Sequence, residues 1–240
     1  MRLIWQWLAD PANWVGEGGI PVRVLEHLGY AGVTVLLAAL IGIPLGLWIG
    51  HTGRGRLVVV NLVNGMRSVP TLGLLFVAVL VLGPRLGGDL AFLAPAIIVL
   101  VILAIPPILA GAYAGVDSVD PAARDAARGM GMRPLDVLLK VEVPCALPLI
   151  FSGLRSATLQ VIATATLAAS VSLGGLGRFL IDGQAYRDYG QMAAGALLVA
   201  ALAVLVDLVF AAVQRAAVSP GLAPAPSRRS IRTRLAPDPA

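Results

Sequence analysis

Long uncharged runs alternate with short polar punctuation along this chain. Residues 28–50 and 90–116 hold no charged side chain, while residues 145–171 carry only Arg155 and residues 190–213 only Asp207. A further run, 57–82, is interrupted by Asn61, Asn64, Arg67 and Pro70. Each run reaches the roughly 20 residues that a helix needs to cross a bilayer. A helix is also the form in which a single segment satisfies its own backbone in lipid. The pattern predicts an all-α, polytopic membrane protein with five spanning helices at about these boundaries.

Within the first run, Gly42, Gly46 and Gly50 form a ladder at four-residue spacing. In lipid such a ladder lets another helix approach backbone to backbone. Pro44 is expected to bend that helix modestly. Residues 1–27 place Trp5, Trp7 and Trp14 beside Asp10, Pro11 and Glu17, which suits a membrane interface. A short surface helix followed by an extended lead-in is expected there. Residues 214–240, rich in Pro, Ala and Arg, read as a disordered tail.

Composition agrees. The 240 residues are 58% hydrophobic and 13% charged, against about 25% charged in a soluble domain. The size suits one domain. Cys145 is the single cysteine, so no intrachain disulfide can form. The apolar stretch 3–9 is short and contains Gln6, which argues against a signal peptide. Net charge is +5, and all the basic residues but Lys140 are arginine. Their positions suggest topology rather than nucleic-acid binding. The 51–56 link, the 117–144 insert and the tail carry Arg54, Arg56, Arg124, Arg128, Arg133, Lys140, Arg215, Arg228, Arg229, Arg232 and Arg234. The opposite side carries Arg2, Arg23, Arg85, Arg178 and Arg187. The positive-inside rule then puts the N-terminus outside and the C-terminus in the cytoplasm.

The 117–144 insert is polar and jointed. Asp120 is a good N-cap and Pro121 suits the first helical position. Gly131 falls where a left-handed residue ends a helix. Pro134 can open a second short helix, with Leu135, Leu138 and Leu139 on one face and Asp136–Lys140 paired on another. Pro144 is expected to end it and turn the chain into the fourth span. The product is an elbow with an Ala126–Ala127 surface. By physics alone, two amphipathic pieces lying on the bilayer account for it equally well.

The stretch resembles the coupling loop of importer-type ABC permeases, in which Glu-Ala-Ala, three residues, Gly and nine residues precede Ile-x-Leu-Pro. Here Asp125-Ala126-Ala127, Gly131 and Val141-Glu142-Val143-Pro144 keep that spacing, with Asp for Glu and Val for Ile and Leu. The stretches "EHLGYAGVTVLLAALIGIPLG" (26–46), "NGMRSVPTLGLL" (64–75), "TATLAASVSLGGLGRFLIDG" (164–183) and "VDLVF" (206–210) look like osmoprotectant importer permeases. That family takes up glycine betaine, choline, carnitine or related quaternary ammonium solutes. "RSVP" also occurs in methionine-type permeases, which leaves an amino-acid importer as the alternative.

The resemblance implies an importer-type permease domain over 28–213, in a bacterial plasma membrane. It implies a second permease subunit, identical or paralogous, and an external solute-binding protein. A cytoplasmic ATPase would contact Asp125, Ala126, Ala127, Gly131 and Pro144. ATP and Mg belong to that ATPase, and no cofactor is expected on this chain. A P-loop needs Gly-Lys-Ser/Thr, whereas Lys140 follows Leu139. A transport subunit, not an enzyme, is expected.

Intramembrane charges usually face the bundle interior and find partners. Arg67 and Arg155 lie about 15 Å deep and Asp207 about 9 Å, at about 1.5 Å per residue. Arg155 with Asp207 is the expected pair; the alternative is that Asp207 reaches cytoplasmic water. Ser156, Gln160 and Thr164 share one strip of the fourth run, with Thr166 and Ser170 beside it. They form either a polar wall along a solute path or ordinary hydrogen bonds to neighbouring helices and turns. Gly174, Gly175 and Gly177 break the helix, and the resemblance makes their turn part of an external gate. Quaternary ammonium ions favour aromatic cages, but Tyr30, Trp48, Phe76, Phe92, Tyr113 and Phe210 suggest none. His27 and His51 fall at opposite ends of the first run, too far apart to share a metal. Cys145 is expected to be a small buried residue.

Overall fold

The computed structural model describes residues 2–66 and 69–217, and these form helices and short connections without a strand. Helix α1 (Arg2–Ala9) is followed by a 3-10 turn, Pro11–Trp14, that folds back over its end. Asn13 Nδ2 donates to the Trp7 carbonyl at 2.8 Å and Trp14 Nε1 to the Leu8 carbonyl at 2.7 Å. Two of the carbonyls that a helix end leaves unpaired are thereby satisfied.

Helix α2 (Ile20–Thr52) begins earlier than the charge-free run, so the expected extended lead-in is helical from Ile20 onward. Gly19 is extended at its N-cap and Pro21 occupies the first turn. Arg23 and Glu26 ended the hydrophobic pattern, yet at 2.8 Å their i,i+3 pair supports the helix. Gly53, at φ +68°, closes α2 by donating to the Ile49 carbonyl at 2.9 Å.

The second expected span is divided into α3 (Arg56–Met66) and α4 (Thr71–Leu82). At 11 and 12 residues, each is about 17 Å long, short of a bilayer core of about 30 Å. Pro70 sits at the N-cap of α4, where a missing N–H and a disfavoured α conformation at the preceding residue separate two helices. Arg67 lies outside the described residues, as does the tail beyond residue 217.

Among the described residues, four helices are long and apolar enough to cross a membrane: Ile20–Thr52, Leu90–Asp117, Pro134–Val171 and Tyr189–Ala217. Of these, α5 (Leu90–Asp117) is the most enclosed, lying between α2 and the α8 (Val143–Ala168) region. The glycine ladder faces α5. A Cβ on Gly46 would lie 2.7 Å from Ala112 Cβ and from the Leu109 carbonyl, and one on Gly50 2.7 Å from Val116 Cβ. On the other side of α5, a Cβ on Gly111 would lie 2.6 Å from the Leu149 carbonyl, and one on Gly153 2.8 Å from the Pro107 carbonyl. Small residues therefore set both crossings. Ala31, Ala38, Ala104, Ile108, Ala157 and Ile162 fill the core between them.

Helices α6 (Pro121–Gly129) and α7 (Pro134–Val137) connect α5 to α8, and α9 (Gly177–Ala185) leads into α10 (Tyr189–Ala217). Trp7 meets Phe179 edge-to-face at 5.1 Å, fixing α1 against α9. Pro144 does not end the second connector helix as expected. The chain runs from α7 through a π turn, Leu138–Glu142, directly into α8, with Pro144 in its first turn. Proline cannot donate to the carbonyl four residues back and crowds it; the wider π turn just before it relieves that conflict. Cys145 is exposed on α8 rather than buried. Residues 214–217, assigned to the tail, complete α10.

Candidate functional site

The connector is built from local rules. Asp120 Oδ1 accepts from the Ala122 N–H at 2.9 Å, capping α6, and Pro121 follows in the first turn. Gly131 lies at φ +84°, its N–H donating to the Arg128 carbonyl at 2.9 Å, while Met132 N–H reaches the Ala127 carbonyl at 3.2 Å. A Cβ at Gly131 would touch nothing within 4 Å, so backbone conformation, not space, requires the glycine. Lys140 Nζ lies 2.7 Å from Asp136 Oδ1, an i,i+4 pair along the second piece of the connector.

The structure divides the expected small-residue surface. Asp125 and Ala126 face outward, whereas Ala127 is 2% exposed and packs inward. The leucine face divides too. Leu138 packs on the Ala112, Val116, Ala146 and Ile150 cluster, while Leu135 and Leu139 are exposed alongside Met130. Asp125, Ala126, Met130, Leu135 and Leu139 thus form a mixed, open outer surface.

Beneath that surface lies a cluster which the sequence reading missed. Glu142, on the π turn, is fully buried. Its Oε2 lies 2.6 Å from His51 Nδ1 at the end of α2. Its Oε1 lies 2.9 Å from Arg124 Nε on α6, a close ion pair without hydrogen-bond alignment. Arg124 also donates to the Val116 carbonyl near the end of α5.

On α8, Arg155 grips Asp207 of α10 through two hydrogen bonds, Nη2 to Oδ2 at 2.6 Å and Nε to Oδ1. Gln214 Nε2 adds a bond from α10 to the Pro148 carbonyl at 3.3 Å. The polar strip separates into two kinds of residue. Thr164, Thr166 and Ser170 bond back to carbonyls of the preceding turn. Ser156 and Gln160 instead line an open cleft of about 320 Å³ with Ser152, Met66, Pro106 and Pro107. Gln160 Nε2 donates to the Leu103 carbonyl at 3.0 Å, the acceptor that Pro107, lacking an N–H, leaves free within α5.

At the opposite end from the connector, Gly175 has φ +80° and donates its N–H to Glu26 Oε2 at 2.7 Å. Arg23 donates to the same oxygen at 2.8 Å. Any Cβ on Gly174 would collide with the Glu26 carboxylate, and one on Gly177 with the Thr166 carbonyl. The glycines are thus needed for close approach as well as for the turn. Neighbouring His27 is fully buried, with Nε2 3.0 Å from the Ile162 carbonyl. Glu26 stands just before the charge-free run 28–50 and carries no pattern signal that names its partner.

The family described as "Binding-protein-dependent transport system inner membrane component" matches residues 42–219. The chain belongs to this family. It is a multi-pass membrane protein and the non-catalytic permease of a binding-protein-dependent ABC importer, a class that works with an ATPase and a solute-binding protein. This permease is 30% identical over 207 residues to the choline transport system permease protein OpuBB of Bacillus subtilis, covering 85% of this chain and 91% of that protein. It is 31% identical, with the same coverage, to the glycine betaine/carnitine/choline permease protein OpuCB of the same organism. Among solved structures, a chain of the inward-facing MetNI methionine ABC transporter matches with a TM-score of 0.70 and 23% identity. The match covers 88% of this permease and 100% of that chain, and shows a shared fold.

Proposed function

We propose that this permease admits quaternary ammonium osmoprotectants such as glycine betaine, choline or carnitine. The observation that carries the reading is its likeness, over 85% of its length, to permeases named for choline and for glycine betaine, carnitine and choline. In this reading α3 and α4 together supply the second of five spans. The N-terminus is outside, and the arginine-rich connector and tail are cytoplasmic.

The exposed Asp125 and Ala126 contact the ATPase, which brings the ATP and Mg. Ala127 seats α6 on the bundle, Gly131 makes the corner, and the passage through Pro144 without a break delivers movement straight into α8. A second permease, identical or paralogous, closes the open side of the Ser156–Gln160 cleft. The cleft residues carry no charge, so the solute passes without tight binding and the external binding protein selects it. The loop of Gly174, Gly175 and Gly177, held by Glu26, forms part of the outer gate. Lipid covers the exposed leucines of α2 and α10.

The test is uptake of radiolabelled choline, glycine betaine, carnitine and methionine. The host lacks its own importers for them and expresses this permease with its ATPase and binding protein. Uptake of at least one quaternary ammonium solute, raised by osmotic stress, is expected. Methionine uptake with none of the other three would overturn the reading.

A further inference from the structure

The buried carboxylate of Glu142 stands where four helices meet. Covalently it belongs to the π turn that joins α7 to α8. Through His51 it holds the end of α2, and through Arg124 it holds α6. Arg124 extends the connection to the Val116 carbonyl of α5, one of the terminal carbonyls that α5 cannot pair internally. The Glu142 side chain is 1% exposed, that of His51 17% and that of Arg124 19%, so water has little access to these contacts.

We infer that Glu142 is a positioning residue for transport, the joint that makes the connector and the ends of α2, α5 and α8 move as one body. The inference rests on the reading of Asp125 and Ala126 as the ATPase contact. Arg124 immediately precedes Asp125 on α6, so a push on that outer face reaches Glu142 through a single side chain. The π turn carries it into α8 along the backbone. Helix α2 has no such covalent link. Among the described residues, His51–Glu142 is the one hydrogen bond or ion pair between α2 and the connector. Apolar packing could hold these ends together, but it tolerates sliding. A charge-assisted hydrogen bond at 2.6 Å has one short, directional minimum. A buried carboxylate that loses one of its two partners has only the other left to offset its burial. The contact therefore resists slippage while the connector is under load.

The joint is tested in the complete transporter: permease, ATPase and binding protein in proteoliposomes. Two readouts are compared for wild type, Glu142→Gln, His51→Ala and His51→Gln. The first is radiolabelled glycine betaine carried per ATP hydrolysed. The second uses spin labels at Arg54→Cys and Met130→Cys, both exposed, in a Cys145→Ser background. It measures the distance between the turn that follows α2 and the connector with and without ATP, and needs no transported solute. Glu142→Gln and His51→Ala are expected to lower the transport ratio by about tenfold or more, as loss of a charge-assisted contact allows. They should also broaden the label distance, with the ATPase still copurifying. His51→Gln keeps a donor and should recover part of both signals. Unchanged distances in both disrupting variants, or transport falling only in proportion to assembled permease, would overturn the inference. Should Glu142→Gln fail to insert, the milder His51→Ala decides by the same criteria. A wild-type connector that neither copurifies nor crosslinks with the ATPase through Ala126→Cys would instead defeat the coupling reading. The label distances would then judge the joint separately.

Discussion

Gly46→Ala puts a number on the closest helix crossing in this permease. The added Cβ would lie 2.7 Å from Ala112 Cβ and 2.7 Å from the Leu109 carbonyl, where ordinary contact begins at 3.4 Å. Helices α2 and α5 must part by about 0.7 Å to admit it, losing attraction along the shared face. Such overpacking costs about 1–3 kcal/mol, against which alanine's better helix propensity returns up to about 1 kcal/mol. The net destabilisation is about 1 kcal/mol, roughly fivefold in the folding equilibrium. The same substitution at other α2 glycines gives an internal scale. At Gly50 the nearest atom is Val116 Cβ at 2.7 Å, so the effect matches Gly46. At Gly42 the contacts are longer, Ile108 Cγ2 at 3.1 Å and the Ile105 carbonyl at 3.3 Å, so a smaller separation suffices and the cost is less than at Gly46. Gly32 has nothing within 4 Å and gains from alanine. The expected stability order is Gly32→Ala, Gly42→Ala, then Gly46→Ala with Gly50→Ala. Thermal unfolding of the purified permease in one lipid–detergent mixture measures it. If Gly46→Ala matches Gly32→Ala, the ladder is not a contact surface and the argument fails.

Two further substitutions probe the connector and the intramembrane pair. Gly131→Val forces a β-branched residue to φ +84°, at a local cost of about 1–2 kcal/mol. Insertion should survive while uptake falls about tenfold or more, as a misdirected corner predicts; normal uptake at equal membrane abundance counts against the corner's role. Arg155→Asp and Asp207→Arg should each reduce assembled permease, and the double exchange should restore part of it because the two side chains meet in a bidentate contact. A double variant no better than either single one refutes the pairing as a stabilising contact.

Much of the bundle was legible because lipid leaves little freedom. Runs with at most one charge coincide with α5, α8 and α10 to within a few residues, while α2 starts well before its run, at Ile20. The spacing of Gly42, Gly46 and Gly50 marks the face that meets α5. The errors share one cause: residues were weighed for hydrophobicity when backbone geometry decided. Arg23 and Glu26 ended an apolar run but not the helix, since their i,i+3 spacing pairs them on one side of α2. Pro144 was read as a stop because proline interrupts an α ladder. A π turn, which depends on three-dimensional packing and has no composition signal, carried the helix through. Ala127 is expected beside Ala126 on the elbow's surface, and Leu138 on one face with Leu135 and Leu139, yet α6 and the π turn rest on the bundle through Ala127 and Leu138.

The polar contacts divide by their background. Arg155 and Asp207 stand alone in apolar runs, where an unpaired charge is expensive, so each announces a missing partner and their pairing could be inferred. Glu142 has no such contrast. It lies among Arg133, Asp136 and Lys140 in a polar insert, where charge ordinarily means exposure to water, and it occupies the position that the coupling-loop spacing leaves free. Its partners, His51 and Arg124, come from separate elements. The same holds for Glu26, whose bond to Gly175 spans 149 positions. Each of these carboxylates fastens an end of α2 to a segment outside the long helices, one at the connector and one at the glycine loop. The bundle interior can rely on packing because its helices are long and its crossings tight. Its ends add polar contacts to their packing, since their segments are short and bring less apolar area. Directional charge contacts therefore accumulate at the two ends of α2.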